Sequence, residues 1–466
     1  MKPPTHPESD LSIPKTTRNG HKIVENLPDL SLVKWWEKLH DTHLNRLIQL
    51  ALLNNNQIHI GKANILQAQA QLKAAHFAWL PTLGGSGAGL VGGGWNSQVT
   101  PEGPFSQFGA LSRTGTIHFN GYNTGFVPTY SFNALANIEN SKLAKATLGM
   151  QQANYQSIRL SVISQITGSY FMLLGQKQQL KEQSQIITDL KALRQLEEVR
   201  YKRGASDLTA VTNLDGQIVT NQASLASIEN SIAQVENAIQ VLINRNPGPI
   251  LAHRSVDSLR VRGLIPAQIP SVVLKNRPDM MTAQYQLKIA ESNVGVAYSN
   301  FFPSISLTGT FGKASFELSH LLKLSTVLWV AEAVASVPLL NGMSYEQIQS
   351  AKAGYAASYF SYVQTVRLVF ADVDNRLTNQ QKMTDIYENK YKAWRVAERN
   401  YKLVLARYKA GAKDYREVAN TKLNVDSAKL DLTLAKMQQL DGLVEVYQAL
   451  GGGCRVRYKK EYCFLH

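Results

Sequence analysis

Few residues in this chain of 466 are spaced for chemistry. Gly87-Ala88-Gly89-Leu90-Val91-Gly92 spells G-x-G-x-x-G, the pattern that lets a backbone approach a pyrophosphate. That pattern works only between a strand and a helix. Here a helical stretch and Pro81 precede it and Gly93, Gly94 and Trp95 follow, so the glycines fit a loop or a strand hairpin. His40 and His43 place two imidazoles one helical turn apart, but no third ligand accompanies them, and a helix-start role is the expectation. Cys454 and Cys463 are the only cysteines, both in the last thirteen residues, so cysteine usage fixes neither a disulfide scaffold nor a redox compartment. No Ser/His/Asp or Cys/His arrangement stands out from chance. The chain is therefore expected to be no enzyme and to need no cofactor or metal.

Composition narrows the class further. Hydrophobic residues make up 44% and charged residues 18%, which is globular rather than disordered. The formal charge of +15 comes from scattered lysines and arginines, with RVRYKK at Arg455–Lys460 as the one dense cluster. No fold-level nucleic-acid motif goes with it, so a solvated surface and no nucleic-acid partner are expected. No window approaches about 18 uninterrupted apolar residues, which excludes a helical membrane span. The greasiest stretch, Val327 to Leu340, is interrupted by Glu332. Met1 to Gly20 carries Lys2, Glu8, Asp10, Lys15 and Arg18 and no apolar core of about 7–15 residues, so no secretory signal is visible. Read alone, that points to the cytoplasm.

The chain repeats itself. Leu52–Leu83 aligns with Leu274–Ile305 at an offset of 222, pairing Asn54 with Asn276, Ala68 with Ala290 and Pro81 with Pro303. RYKRGASDLTAV from Arg200 aligns with RYKAGAKDYREV from Arg407 at an offset of 207. A tandem internal duplication follows, with an N-terminal extended segment over 1–34, a first repeat over 35–250, a second over 251–453 and an atypical tail over 454–466.

Each repeat reads as the same series of elements. An amphipathic helix, Asn56–Trp79 or Asp279–Phe301, stops before Pro81 or Pro303. Two strands follow, Thr82–Gly92 with Thr116–Phe132, and Ser304–Lys313 with Val327–Leu340. A proline-free helix then runs over Asn137–Tyr201 or Tyr345–Tyr408, about 100 Å at 1.5 Å per residue. Both end at a YKxG turn, where Gly204 and Gly411 can take the left-handed cap. In the return helix Val211, Leu214, Ile218, Asn221, Leu225, Ile228, Ile232, Val235, Ile239 and Leu242 step by threes and fours, a coiled-coil seam. Helices of this length need an elongated partner or each other.

Strands of about ten residues tilted near 45° cover about 24 Å, close to the apolar band of a membrane β-barrel. Four strands cannot close a barrel, which needs about eight, and an open edge cannot sit in lipid with unpaired backbone groups. Either several copies share one barrel, or the strands form a soluble hairpin cap on a helical rod.

These residues together resemble the TolC-like outer-membrane efflux family, in its NodT-type branch serving resistance-nodulation-division pumps. The resemblance is carried by Trp35-Trp36 with the helix from Leu44 to Leu72, by NRPD at Asn276–Asp279, and by AYSNFFPSISLTGTFG at Ala297–Gly312. The paired YKxG turns and YQALGGG at Tyr447–Gly453 complete it. It implies an α+β membrane protein, a homotrimer whose subunits each give four strands to a 12-stranded barrel continued by a long antiparallel α-helical barrel. It also implies residence in the outer membrane with the helical part in the periplasm, contact with outer-membrane lipid, and partnership with a periplasmic adaptor and an inner-membrane efflux pump. Cargo would be drugs or other small amphiphiles. The same architecture serves type I protein secretion, and a soluble coiled-coil scaffold is the reading from another class.

The resemblance further implies a periplasmic aperture where the long helices turn, closed by acidic residues six and nine positions after the second turn glycine. Counting from Gly411 gives Glu417 and Asn420, the second departing from the usual aspartate. From Gly204 the count gives Ala210 and Asn213. Lys413 and Asp207 lie beside the turns, where interhelical ion pairs would hold such an aperture shut. Three symmetry copies of Glu417 at about 7 Å would repel by about 0.6 kcal/mol per pair in water, and so favour cations. Many members of the branch carry a signal peptide ending in a lipid-bearing cysteine. No cysteine precedes Cys454, so either the export signal is missing from this sequence or the mature protein is non-lipidated. Trp35 and Trp36 are expected to pack the N-terminal segment against helices.

Overall fold

The computed structural model describes residues 22–24, 33–95, 116–252, 254–261, 264, 268–270, 277–321, 326–338 and 341–453. Met1–Gly20, Asn276, and the tail after Gly453 with its basic cluster and both cysteines lie outside these residues. In chain order the elements are β1 (Lys22–Val24), α1 (Thr42–Asn54), α2 (Asn56–Phe77), β2 (Thr82–Trp95), β3 (Thr116–Phe132), α3 (Ala134–Lys202) and α4 (Leu208–Leu242). Then come β4 (Gln268–Pro270), α5 (Pro278–Ser299), β5 (Ser304–Ser315), β6 (Thr326–Ser336), α6 (Gly342–Lys409) and α7 (Tyr415–Ala449). Two compact units are built from interleaved stretches of chain, one from 1–67, 149–286 and 358–466, the other from 68–148 and 287–357.

The smaller unit holds a four-stranded antiparallel sheet in the order β2-β3-β5-β6. Seven of the fourteen residues of β2 are glycine, yet the whole strand pairs with β3, from Thr82 opposite Thr129 to Trp95 opposite Thr116. The G-x-G-x-x-G stretch is thus strand, with its ladder bonds supplied by β3. β6 is shorter than the sequence pattern suggests, ending at Ser336 rather than Leu340, because Pro338 has no N–H to give a ladder.

The long helices begin three residues earlier than their apolar pattern indicates. Asn133 caps α3, its Oδ1 accepting from the Ala136 amide at 3.0 Å, and Asn341 caps α6 through the Ser344 amide at 3.1 Å. At 69 and 68 residues the two helices match, and their return partners α4 and α7 are both 35 residues.

In the larger unit the predicted α4 seam is the packed face, with Val211, Leu214, Ile218 and Ile239 buried and the seam positions between them half-buried. Its one polar member, Asn221, is satisfied: its side-chain and main-chain oxygens accept from Gln183 Nε2 on α3 at 2.8 and 3.2 Å. Trp35 and Trp36 are buried as expected. The Trp35 ring stacks on Tyr447 with centroids 4.4 Å apart and planes 3° from parallel. A Cβ on Gly452 would stand 2.9 Å from the Tyr447 ring, and one on Gly453 would stand 2.5 Å from Trp36. The two rings therefore cover the end of α7 only because glycine follows it. His40 closes the short 3-10 turn before α1 in a left-handed conformation, and the Asp41 carboxylate caps α1 at the His43 and Leu44 amides.

Candidate functional site

The two YKxG turns are built alike. Gly204 and Gly411 have φ of +71° and +75°, and the next amide, Ala205 or Ala412, donates back to the carbonyl of Arg200 or Arg407 at 2.8 and 2.9 Å. Three residues past each glycine an aspartate starts the return helix: Asp207 accepts from the Ala210 amide at 2.8 Å and Asp414 from the Arg416 amide at 3.2 Å. The G-A-x-D spacing thus serves as C-cap and N-cap of consecutive helices.

The expected site residues are arranged differently from the sequence reading. Lys413 pairs with Glu417 at 2.8 Å, four residues on along the same strand of turn and helix, and Asp207 is occupied as a helix cap. Among the described residues neither makes an interhelical ion pair. That link comes instead from Arg200 on α3, in a close pair with Asp414 at the start of α7, and the guanidinium holds the Asp414 carboxyl below the usual carboxylate range. Behind it Glu197, only 2% exposed, accepts from Ser206 Oγ at 2.8 Å and lies 3.4 Å from Arg416 Nε. Glu417 is half-buried, while Asn420, Asn213 and both turn glycines are exposed. Glu197 and Arg200 were not anticipated. The signal was present in the repeat, where Glu197 aligns with the apolar Val404.

The α3–α7 contact continues away from the turns as a polar ladder. Lys422 Nζ lies 3.2 Å from Asp189 Oδ2 and in close contact with Asp426, and Thr433 Oγ1 donates to Glu182 Oε1 at 2.9 Å. Burial, and next the hydrogen bond to Asp189, push the Asp426 carboxyl up from 3.8 to about 6. A carboxyl whose folded pKa lies above its unfolded value binds more protons when folded. The fold therefore loses stability as pH rises from about 4 to about 6, by on the order of 2–3 kcal/mol. Melting of the detergent-solubilised protein should shift down between pH 5 and pH 7.5, and Asp426→Asn should reduce that shift and raise the midpoint at pH 7.5. An equal shift in the variant would place the titrating group elsewhere.

The sheet of the smaller unit has two chemically different faces, fixed by a register that stays constant along each strand pair. On one, Leu83, Phe126, Tyr130, Phe311 and Trp329 stand together, with Phe126 and Phe311 59% and Trp329 73% exposed. On the other, Thr82, Thr129, Thr308 and Glu332 are successive partners across all four strands, and the two threonine hydroxyls of the first pair are 2.7 Å apart. β6 alternates less strictly, adding Leu328, Val330 and Val334 to this second face. Gly125 and Gly312 are partners on it as well. A Cβ on Gly125 would lie 2.5 Å from the Phe311 carbonyl oxygen, and one on Gly312 2.2 Å from that of Thr124. The backbones close on the polar face more tightly than a flat sheet allows, so that face is the concave one.

Among the described residues no helix is long and apolar enough to cross a membrane, and no three His, Cys, Asp or Glu side chains are grouped to hold a metal ion. The family model for outer membrane efflux proteins matches residues 47–245 and 269–452, taking in both long helical hairpins and all four strands of the sheet. The chain belongs to the outer membrane efflux protein family. Relatives within reach include the solvent efflux pump outer membrane protein SrpC of Pseudomonas putida, 28% identical over 444 residues, covering 91% of this chain and 88% of that protein. The cation efflux system protein CusC of Escherichia coli K12 is 25% identical over 444 residues, covering 94% and 92%. Among solved structures, the open state of the Neisseria gonorrhoeae MtrE outer membrane channel superposes with a TM-score of 0.81 at 25% identity, covering 97% of this chain and 98% of that one.

Proposed function

We propose that this protein is the outer-membrane channel of a tripartite efflux system, taking drugs or other small amphiphiles from an inner-membrane pump and a periplasmic adaptor to the exterior. The observation that carries the reading is the sheet: four strands with an exposed aromatic face, a concave polar face, and β2 and β6 as unpaired edges. Lipid leaves such edges no partner except another copy. Three copies would close 12 strands, the apolar faces outward and the threonine-bearing faces around a lumen, with the long helices as the periplasmic continuation. The repeated helix, strand pair, long helix and half-length return helix support descent from a tandem duplication. Substrates named for the relatives, solvents and cations, support small-molecule rather than polypeptide cargo.

The gate of the channel would lie at the YKxG turns. Glu417 and Asn420 follow Gly411 at the positions facing the axis, with Asn213 and the cap Asp207 on the neighbouring hairpin. Arg200 with Asp414, and Glu197 with Arg416, are the intrachain ties that hold the two hairpins in register. Deleting the gene should sensitise the producing strain to several unrelated toxic compounds, with resistance restored by the wild-type copy. Unchanged susceptibility together with loss of a secreted polypeptide would assign the protein to type I secretion instead.

A further inference from the structure

Resting on the trimeric-barrel reading, we propose that Glu332 makes the barrel lumen itself cation-preferring, as a second selectivity element independent of the gate. Glu332 sits in a register row that crosses the whole sheet, Thr82 opposite Thr129, Thr129 opposite Thr308 and Thr308 opposite Glu332. The row lies on the concave face, the side to which Gly125 and Gly312 bend the backbone. Among the described strand residues whose side chains are placed, the charged ones are Glu332 and Lys313, and the register puts Lys313 on the opposite, aromatic face. The lumen at this level therefore carries one carboxylate per chain and no basic residue from these strands, surrounded by hydroxyls that can replace part of a cation's hydration shell.

Geometry sets how strong the effect can be. Twelve strands about 4.8 Å apart and tilted by about 40° enclose a barrel of roughly 12 Å backbone radius, so the three Glu332 backbones stand about 20 Å from one another and the carboxylates, reaching into the lumen, stand nearer than that. At about 0.01 M salt the Debye length is about 30 Å and the three fields overlap across the lumen, whereas at about 1 M it is about 3 Å and each is screened at the wall. Glu332 should thus bias permeation of small cations and cationic amphiphiles at low ionic strength, and lose its influence at high.

The test separates lumen from gate. Protein purified as a heat-modifiable trimer is placed in planar bilayers, and the cation-to-anion permeability ratio is read from the reversal potential in a KCl gradient around 0.01 M. Glu417→Gln, which neutralises the gate carboxylate, should leave a channel that still prefers cations. Adding Glu332→Gln to it should bring the ratio toward unity, Glu332→Lys should invert it, and Glu332→Asp should retain it, with all differences collapsing at about 1 M salt. An unchanged ratio in the Gln and Lys variants, with conducting trimers present, overturns the proposal and leaves the channel reading standing. A folded trimer of wild-type protein that conducts no ions overturns the channel reading and this inference with it.

Discussion

If three copies share one barrel as proposed, Gly312→Val should abolish its assembly. The first side-chain carbon of the valine would stand 2.2 Å from the Thr124 carbonyl oxygen and 2.6 Å from Gly125 Cα, and neither neighbour is the movable end of a side chain. Ordinary overpacking costs about 1–3 kcal/mol because side chains can shift. Here relief requires β3 and β5 to separate, which breaks the central ladder of a sheet with only four strands. On the proposed barrel, the same separation would flatten the bend of the sheet, and its edge strands would no longer meet a neighbouring copy at the closing angle. Unheated gel electrophoresis of outer-membrane extracts should show no heat-modifiable trimer for Gly312→Val. Gly85→Ala, where a Cβ meets nothing within 4 Å, should give trimer at the wild-type level. Trimer at the wild-type level from Gly312→Val would mean that the close approach of the two glycines does not shape the sheet.

Arg277→Ala should be the most destabilising single truncation in the helical unit. Arg277 grips Asp279 with both arms, Nε to Oδ1 at 3.1 Å and Nη2 to Oδ2 at 2.7 Å. Its Nη1 donates to Asp372 on α6 at 3.1 Å and to the Ala449 carbonyl, the last residue of α7, at 2.6 Å. One guanidinium, 11% exposed, thereby joins the start of α5 to the middle of α6 and the end of α7. It lines a polar hollow of about 270 Å³ with Arg376 and Glu445. Removing it strands a carbonyl and leaves two carboxylates short of a partner, a loss on the order of 3–5 kcal/mol, moderated because Arg376 also reaches Asp372 at 3.3 Å. The thermal midpoint of the solubilised protein should fall by several degrees or more. Arg277→Lys should recover little of it, since an ammonium cannot make the planar two-armed contact. A midpoint within a degree or so of wild type for Arg277→Ala would show that Arg376 carries the network alone.

The helices and strands were legible because their signals are periodic. The α4 seam from Val211 to Leu242 indicates which face packs, and the YKxG pairs fix both turns. Helix starts were less legible, since Asn133 and Asn341 act through one side-chain oxygen each and leave no mark on an apolar pattern. At the turns, short-range spacing located Glu417 and Lys413 but could not foresee that they would pair with each other. The interhelical tie joins Arg200 to Asp414, more than two hundred residues apart in the chain, and only packing brings such residues together. The glycine-rich β2 was the hardest stretch, because strand propensity there comes almost wholly from its partner β3. The two-faced character of the sheet needed the register: Thr308 and Glu332 share a row only once β5 and β6 are aligned.

The stacking of Trp35 on Tyr447, with Trp36 laid against Gly453, fastens the start of the described helical body to its finish. Trimming into either point would uncover the other, since each ring is covered by the opposite end of that body. Trp35 and Tyr447 lie more than four hundred residues apart in the chain, so this clasp forms only after all the sequence between them has been made.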